Sequence, residues 1–170
     1  MRDFENQQGY SFAAVYDAYY DRIYKYVFML LMNEADAEDV TSQTFLSAFM
    51  SFDRYDPEKA SLRTWLTRIA HNRAVNICRS AAFRKRADTP EEWQYADEKA
   101  DFPEHVENSE LVLMLYSHLE PAERELLNMR YVMELRDKEI GAMLQISEKA
   151  ANKRMQRLLT KCRMIMSPTR

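Results

Sequence analysis

Only two glycines, Gly9 and Gly141, occur among the 170 residues. Glycine is the residue that most readily supplies left-handed backbone at tight hairpin turns and close backbone approach to phosphate groups. Glycine-rich phosphate loops, dinucleotide-binding α/β folds and all-β folds are therefore disfavoured. Cys78 and Cys162 stand alone, with no CxxC spacing, and the three histidines are scattered at 71, 105 and 118. That pattern supports neither a disulfide framework nor a metal site, and it fits a reducing, cytoplasmic setting. The longest unbroken apolar run, Tyr26 to Met32, is seven residues. A bilayer crossing needs about 20, and the N-terminus has no basic-then-apolar leader, so no membrane insertion is expected.

Helical periodicity fills the space that glycine leaves. From Ser11 to Met32, the residues Phe12, Val15, Tyr16, Tyr19, Ile23, Tyr26, Val27 and Leu30 recur at spacings of three and four, predicting one long amphipathic helix. Asn33, with Asp36 three residues on, reads as the cap of a second helix that runs to about Phe52. Asp56-Pro57 breaks the pattern, and Ser61 can cap a third helix reaching about Arg84. Residues 87–108 lose the periodicity, contain Pro90 and Pro103, and are crowded with acids, which predicts a linker. Further helices are expected from Ser109 to Leu119, from Pro121 to about Met133, from Asp137 to Leu144 and from Glu148 to Arg163. The fold class is thus all-α, with two small helical domains, 10–86 and 109–163, joined by the acidic linker.

Formal net charge is only −3, yet it conceals four alternating blocks. Residues 1–60 carry net −6, residues 61–86 net +7 with no acid, residues 87–125 net −10, and residues 126–170 net +6. Two separate cationic surfaces of this kind can neutralise phosphates, and the acidic ones suit a basic partner. In the first basic block, Arg63, Arg68, His71, Asn72, Arg73, Asn76 and Arg79 are interleaved with Trp65 and preceded by Phe52 and Tyr55, a mixture suited to unpaired bases. Trp65 also fits the core.

The last two helices are joined by Gln145, Ile146 and Ser147 alone, the tight connection of a helix-turn-helix. Gly141 sits where the first of the pair must let the second come close. On the final helix, Ala151, Met155, Leu158, Leu159 and Cys162 form a core-facing arc, and Lys149, Lys153, Gln156, Arg157 and Thr160 lie opposite. Asn152, Gln156 and Arg157 have the hydrogen-bonding groups to read base edges in a major groove.

Taken in order, DAEDVTSQTFLSAF at 36–49, SLRTWLTRIAHNRAVNICR at 61–79, LEPAERELLNMRY at 119–131 and KEIGAMLQISEKAANKRMQRLLTKCR at 138–163 resemble the extracytoplasmic-function (ECF) type of bacterial RNA polymerase sigma factor, the type that keeps only sigma regions 2 and 4. The resemblance implies a non-catalytic subunit, without cofactor or metal, that docks on core RNA polymerase, selects a promoter and helps open it. It assigns Asp36, Asp39 and Gln43 to the clamp helices of the largest polymerase subunit. Tyr55, Arg63, Trp65, Arg68, His71, Asn72 and Asn76 fall to reading and melting of the -10 element. Arg79, Arg84, Lys85 and Arg86 are left as phosphate contacts. Asn152, Lys153, Gln156 and Arg157 would meet base edges of the -35 element, Lys149 and Arg154 its phosphates, and the other side of that domain the flap of the second-largest subunit. An anti-sigma factor is a further expected partner.

The chain departs from the family pattern at Ser42, where glutamine is usual, at Glu134 and Arg136, which replace glycine and serine, and at Gln145, which replaces the turn glycine. Lys149, Ala150 and Ala151 stand for Gly-Thr-Val. Without glycine, the turn residue must itself adopt a left-handed conformation, or the turn differs in shape. Two other functions stay open on these residues: a degenerate sigma-like adaptor that binds polymerase without directing initiation, and an ordinary helix-turn-helix transcription regulator. An enzyme is disfavoured, because Asp36, Glu38 and Asp39 have no nearby group to complete an acid-base or metal constellation.

Overall fold

A computed structural model describes residues 9–87 and 109–167. The chain divides into two compact units, Met1–Glu98 and Lys99–Arg170. The expected linker lies outside the described residues.

The first unit is built from α1 (Phe12–Leu31), α2 (Glu34–Ser51) and α3 (Leu62–Ala87), with a 3₁₀ turn at Phe52–Arg54. Local chemistry sets the boundaries. Ser11 Oγ accepts from the Ala14 N–H at 3.1 Å, Asn33 Oδ1 from the Asp36 N–H at 2.9 Å and Ser61 Oγ from the Thr64 N–H at 3.2 Å. Each satisfies one of the orphan donors of a helix start. Met32 takes a left-handed conformation (φ 52°) and its N–H closes on the Phe28 carbonyl at 2.7 Å, so α1 ends one residue before the next cap.

All three helices pack on one another around Ile23, Tyr26, Val27, Val40, Phe45, Phe52, Leu66, Ala70 and Ala74, none more than 3% exposed. Alanines at 48, 70 and 74 let the backbones approach, and aromatic edges fill the remaining space. Phe12 meets Phe49 and Phe52 edge-on, with ring centres 5.1 Å away in both cases. Such pairs add about 0.5–1.5 kcal/mol to the burial itself.

The second unit holds α4 (Ser109–Ser117), α5 (Pro121–Leu127), α6 (Asp137–Leu144) and α7 (Glu148–Met166). Pro121 occupies the first turn of α5, as expected. The helix expected to run to about Met133 extends without a break to Val132, but it changes type: α5 is α-helical to Leu127, and residues 128–132 form a π-helical turn. Asn128 provides a local reason. It is fully buried, and its Oδ1 accepts from Tyr116 Oη at 2.5 Å, so the chain widens around a polar group that must face inward. Burial drives the Tyr116 phenol well above its ordinary pKa, keeping it a donor. Glu134 then reverses the chain at φ 51°.

Between α6 and α7, Gln145 adopts φ 55° and ψ 40°. The Ile146 N–H returns to the Gly141 carbonyl at 2.9 Å, closing a Schellman-type end around a residue that carries a side chain. A β-carbon at Gly141 would lie 2.8 Å from the Ile146 carbonyl oxygen and 3.2 Å from the Glu148 nitrogen. Both neighbours are backbone, so the close approach expected of Gly141 is real. Ile140, Ala151, Met155, Leu158 and Cys162 are buried beneath the pair, which places Cys162 in the core as expected.

Gly141→Ala should therefore lower stability by about 1–3 kcal/mol through overpacking. Gln145→Gly should raise it by about 0.5–1 kcal/mol by relieving the left-handed strain, less the entropy glycine loses on folding. Denaturant unfolding followed by circular dichroism tests both signs.

Candidate nucleic-acid interface

A helix advances about 100° per residue, so residues three, four and seven apart share a face. This geometry sorts the basic block of α3 into three groups. Arg68, Asn72 and Asn76 are exposed and lie in one row with the half-buried Trp65, whose ring centre is 5.1 Å from that of Tyr55 and 6.4 Å from that of Phe52. Arg63 is half-buried and in register with Leu66, Ala70 and Ala74 on the core side. His71 and Arg73 turn toward neighbouring helices: His71 Nδ1 is 3.3 Å from the Tyr26 hydroxyl, and Arg73 binds α2. The side chains of residues 78–87, Arg79 among them, lie outside the described set.

Tyr55, assigned above to the -10 element, is 4% exposed. Its hydroxyl donates to the Ala60 carbonyl at 3.0 Å, pinning the loop before α3. In this conformation it supports Trp65 from beneath and presents no free ring face. Among the residues named for single-stranded DNA, the structure thus groups Trp65, Arg68, Asn72 and Asn76 at one surface and separates Tyr55, Arg63 and His71 from it.

On α2, Asp36, Asp39 and Gln43 share an exposed face. Gln43 Nε2 donates to Asp39 Oδ2 at 2.7 Å, and Gln43 Oε1 accepts from Arg73 Nη1 at 2.7 Å. Arg73 also donates to Ser47 Oγ. One arginine from the basic helix therefore fixes the amide at the centre of the acidic one. Sequence reasoning missed this bridge, and it missed the apolar residues beside it: Leu46, Phe49 and Met50 on α2 are 60%, 44% and 78% exposed. Exposed apolar side chains beside a row of acids suit a protein partner more than DNA.

On α7, Lys149, Asn152, Lys153 and Gln156 form an exposed stripe opposite the buried arc. Asn152 Nδ2 donates to Asp137 Oδ2 at 2.8 Å, and Arg130 pairs with Asp137 Oδ1. Arg154 and Arg157 are displaced to one shoulder. With Lys161, and with Glu123, Glu125 and Leu126 of α5, they line a groove of about 550 Å³. Lys161 Nζ lies 2.6 Å from Glu123 Oε2. Burial pushes the Glu123 carboxyl up, but the bonds from Lys161 and the Glu120 N–H outweigh it and hold its pKa below the usual carboxylate range. Glu125 is shifted upward by burial. Among the described residues, no cluster of His, Cys, Asp and Glu converges as a metal site, and no helix is long and apolar enough to cross a membrane.

Comparison with known proteins adds independent findings. Residues 15–84 match the family description sigma-70 region 2, and residues 109–162 match sigma-70, region 4. The chain is similar to the ECF RNA polymerase sigma factor BldN of Streptomyces coelicolor, 29% identical over 145 residues that cover 82% of this chain and 54% of BldN. It is 34% identical to the ECF RNA polymerase sigma factor SigK of a Mycobacterium species over 104 residues, covering 61% of this chain and 52% of SigK. It thus spans about half the length of these curated relatives. Among solved structures, the sigma factor RpoE in complex with the anti-sigma factor NepR from Bartonella quintana aligns with TM-score 0.72 at 14% identity, covering 94% of this chain and 98% of RpoE. At that identity the likeness speaks for the fold.

The bridge to α2 and the half-buried carboxyl of Glu125 on α5 can each be tested by substitution. Arg73→Ala should cost about 1 kcal/mol in denaturant unfolding, because it removes a partly exposed, charge-assisted bridge between α2 and α3. Glu125→Gln should leave stability unchanged below about pH 4, where the carboxyl is protonated in both states. As pH rises through the raised folded pKa, the native protein loses stability that the variant keeps. Melting temperatures measured across pH 4 to 8 should therefore diverge, with the variant higher at neutral pH.

Proposed function

The chain belongs to the ECF type of the sigma-70 family, and on that premise we propose that it is a non-catalytic initiation factor that brings core RNA polymerase to promoters and helps open them. The observation that carries this reading is the exposed Lys149–Asn152–Lys153–Gln156 stripe on the second helix of a helix-turn-helix, in a chain that also holds the region 2 match. Cations on that stripe approach phosphates, and the two amides have the donors and acceptors to discriminate base edges of a -35 duplex.

Residues 10–86 then serve as the polymerase-binding and -10-melting domain, and residues 109–163 as the -35 domain. Region 2 works through two faces. The α2 face, with Asp36, Asp39 and Gln43 beside Leu46, Phe49 and Met50, offers a clamp-binding surface on the largest polymerase subunit. The α3 face, with Trp65, Arg68, Asn72 and Asn76, offers amides and a cation to an unpaired strand and a half-buried aromatic ring for stacking. Stacking of a base on an aromatic ring is worth about 1–3 kcal/mol, which offsets the cost of extruding it from the duplex. The second unit also contacts the flap of the second-largest subunit. An anti-sigma factor is a further proposed partner, as NepR is for RpoE. The proposed site of action is the cytoplasm.

The test is to mix the chain with bacterial core polymerase and a pooled promoter library, then sequence what is bound and transcribed. Binding with transcripts that share -35 and -10 elements is expected. Asp39→Arg should weaken polymerase binding at least about tenfold, since a reversed charge meets a surface complementary to an acid. Polymerase binding without selected transcripts would favour the adaptor, and tight duplex binding without polymerase an ordinary regulator.

A further inference from the structure

The Arg130–Asp137–Asn152 chain of contacts has a consequence for base reading that rests on the promoter-reading assignment above. Asp137 is the first residue of α6, and Asn152 lies on the exposed stripe of α7. Asn152 donates from Nδ2 to Asp137 Oδ2 at 2.8 Å, while Arg130 holds Asp137 Oδ1 from the other side. The Asp137 and Arg130 side chains are only 20% and 27% exposed, so the pair is partly shielded from water.

An ionised carboxylate only accepts hydrogen bonds, whereas an amide has one accepting and one donating end. Asp137 therefore fixes which end of the Asn152 amide faces it: the NH₂ group is held, and the carbonyl Oδ1 is left on the far side. Arg130 restrains the carboxylate from rotating by pairing with Oδ1, the oxygen that Asn152 does not use. A lone asparagine can turn its amide over to meet donors or acceptors alike. This one cannot turn without breaking the bond to Asp137.

We propose that Asp137, clamped by Arg130, is a positioning residue that makes Asn152 an acceptor-presenting reader, selecting an exocyclic amine (adenine N6 or cytosine N4) over a carbonyl (guanine O6 or thymine O4) at one position of the -35 element. The major groove displays these groups distinctly for each base. Asp137 itself need not touch DNA.

The experiment uses the whole chain with core polymerase on promoters randomised across the -35 element. Wild type, Asp137→Ala, the nearly isosteric Asp137→Asn and Asn152→Ala are compared by sequencing the bound fraction, with circular dichroism to confirm helix content. At one position wild type should favour A and C alike over G and T by about tenfold on one strand, which the complementary strand shows as T and G alike over A and C. All three variants should bring that preference to within about twofold and leave the other positions unchanged, a pattern that general destabilisation does not produce. A wild-type preference that separates A from C, or G from T, at the position that Asn152→Ala affects overturns the proposal, because an amine-selecting acceptor treats each of these pairs alike on either strand. So does an unchanged base profile in the Asp137 variants of an active complex. A folded chain that selects no -35 element at all overturns the promoter-reading assignment as well, which separates the two failures.

Discussion

Reversing a helical chain without glycine is the constraint on which both units depend. Met32, Glu134 and Gln145 each carry a side chain into the left-handed region, at φ 52°, 51° and 55°. Each such residue costs about 1–2 kcal/mol relative to ordinary backbone. The reversals persist because the residues just after them are tightly held. Asn33 caps α2 one residue after Met32, Leu135 is completely buried just after Glu134, and Ile146 returns its N–H to Gly141 after Gln145. The only glycine within a described helix is kept for a different purpose, contact between two backbones at Gly141.

Once the reversals are set, burial and charge divide the surface. In the first unit, alanines and aromatic edges bring three helices together, and the polar residues of α3 are sorted by angle. Those in line with Trp65 face solvent, while His71 and Arg73 lie against α1 and α2. The arginine that joins α3 to the Gln43 amide couples the acidic and basic elements mechanically. The orientation of the proposed polymerase-binding face therefore depends on the helix proposed to bind the open strand. In the second unit the same economy appears at Asp137, whose carboxylate begins α6, pairs with Arg130 and orients Asn152. A carboxylate at a helix start is also favoured by the partial positive charge there.

Much of this was legible in the sequence because it is local. Asn33 and Ser61 act as caps through bonds spanning three residues, and Pro121 starts a helix through its fixed φ. The buried arc of α7 follows from spacing alone. The π-helical turn at 128–132 was not legible, because it answers to a buried hydrogen bond between Tyr116 and Asn128 on separate helices. Tyr55 looked available to DNA by composition, since a tyrosine in a basic region suits stacking. Its burial depends on Trp65 and on the Ala60 carbonyl, which only the closed loop brings to it.

The amino-acid sequence determined by itself that the chain is helical, where most helices begin, and which segments carry opposite charge. These follow from backbone hydrogen bonding, capping and periodicity over a few residues. Only the tertiary structure decided which members of a charged segment reach the surface and which way an amide points. Exposure of Leu46 and Met50, engagement of Arg73 with Gln43 and the hold of Asp137 on Asn152 all depend on side chains from different helices meeting at hydrogen-bond or van der Waals distance. Such meetings are set by how the helices cross, and no spacing within one helix encodes that angle.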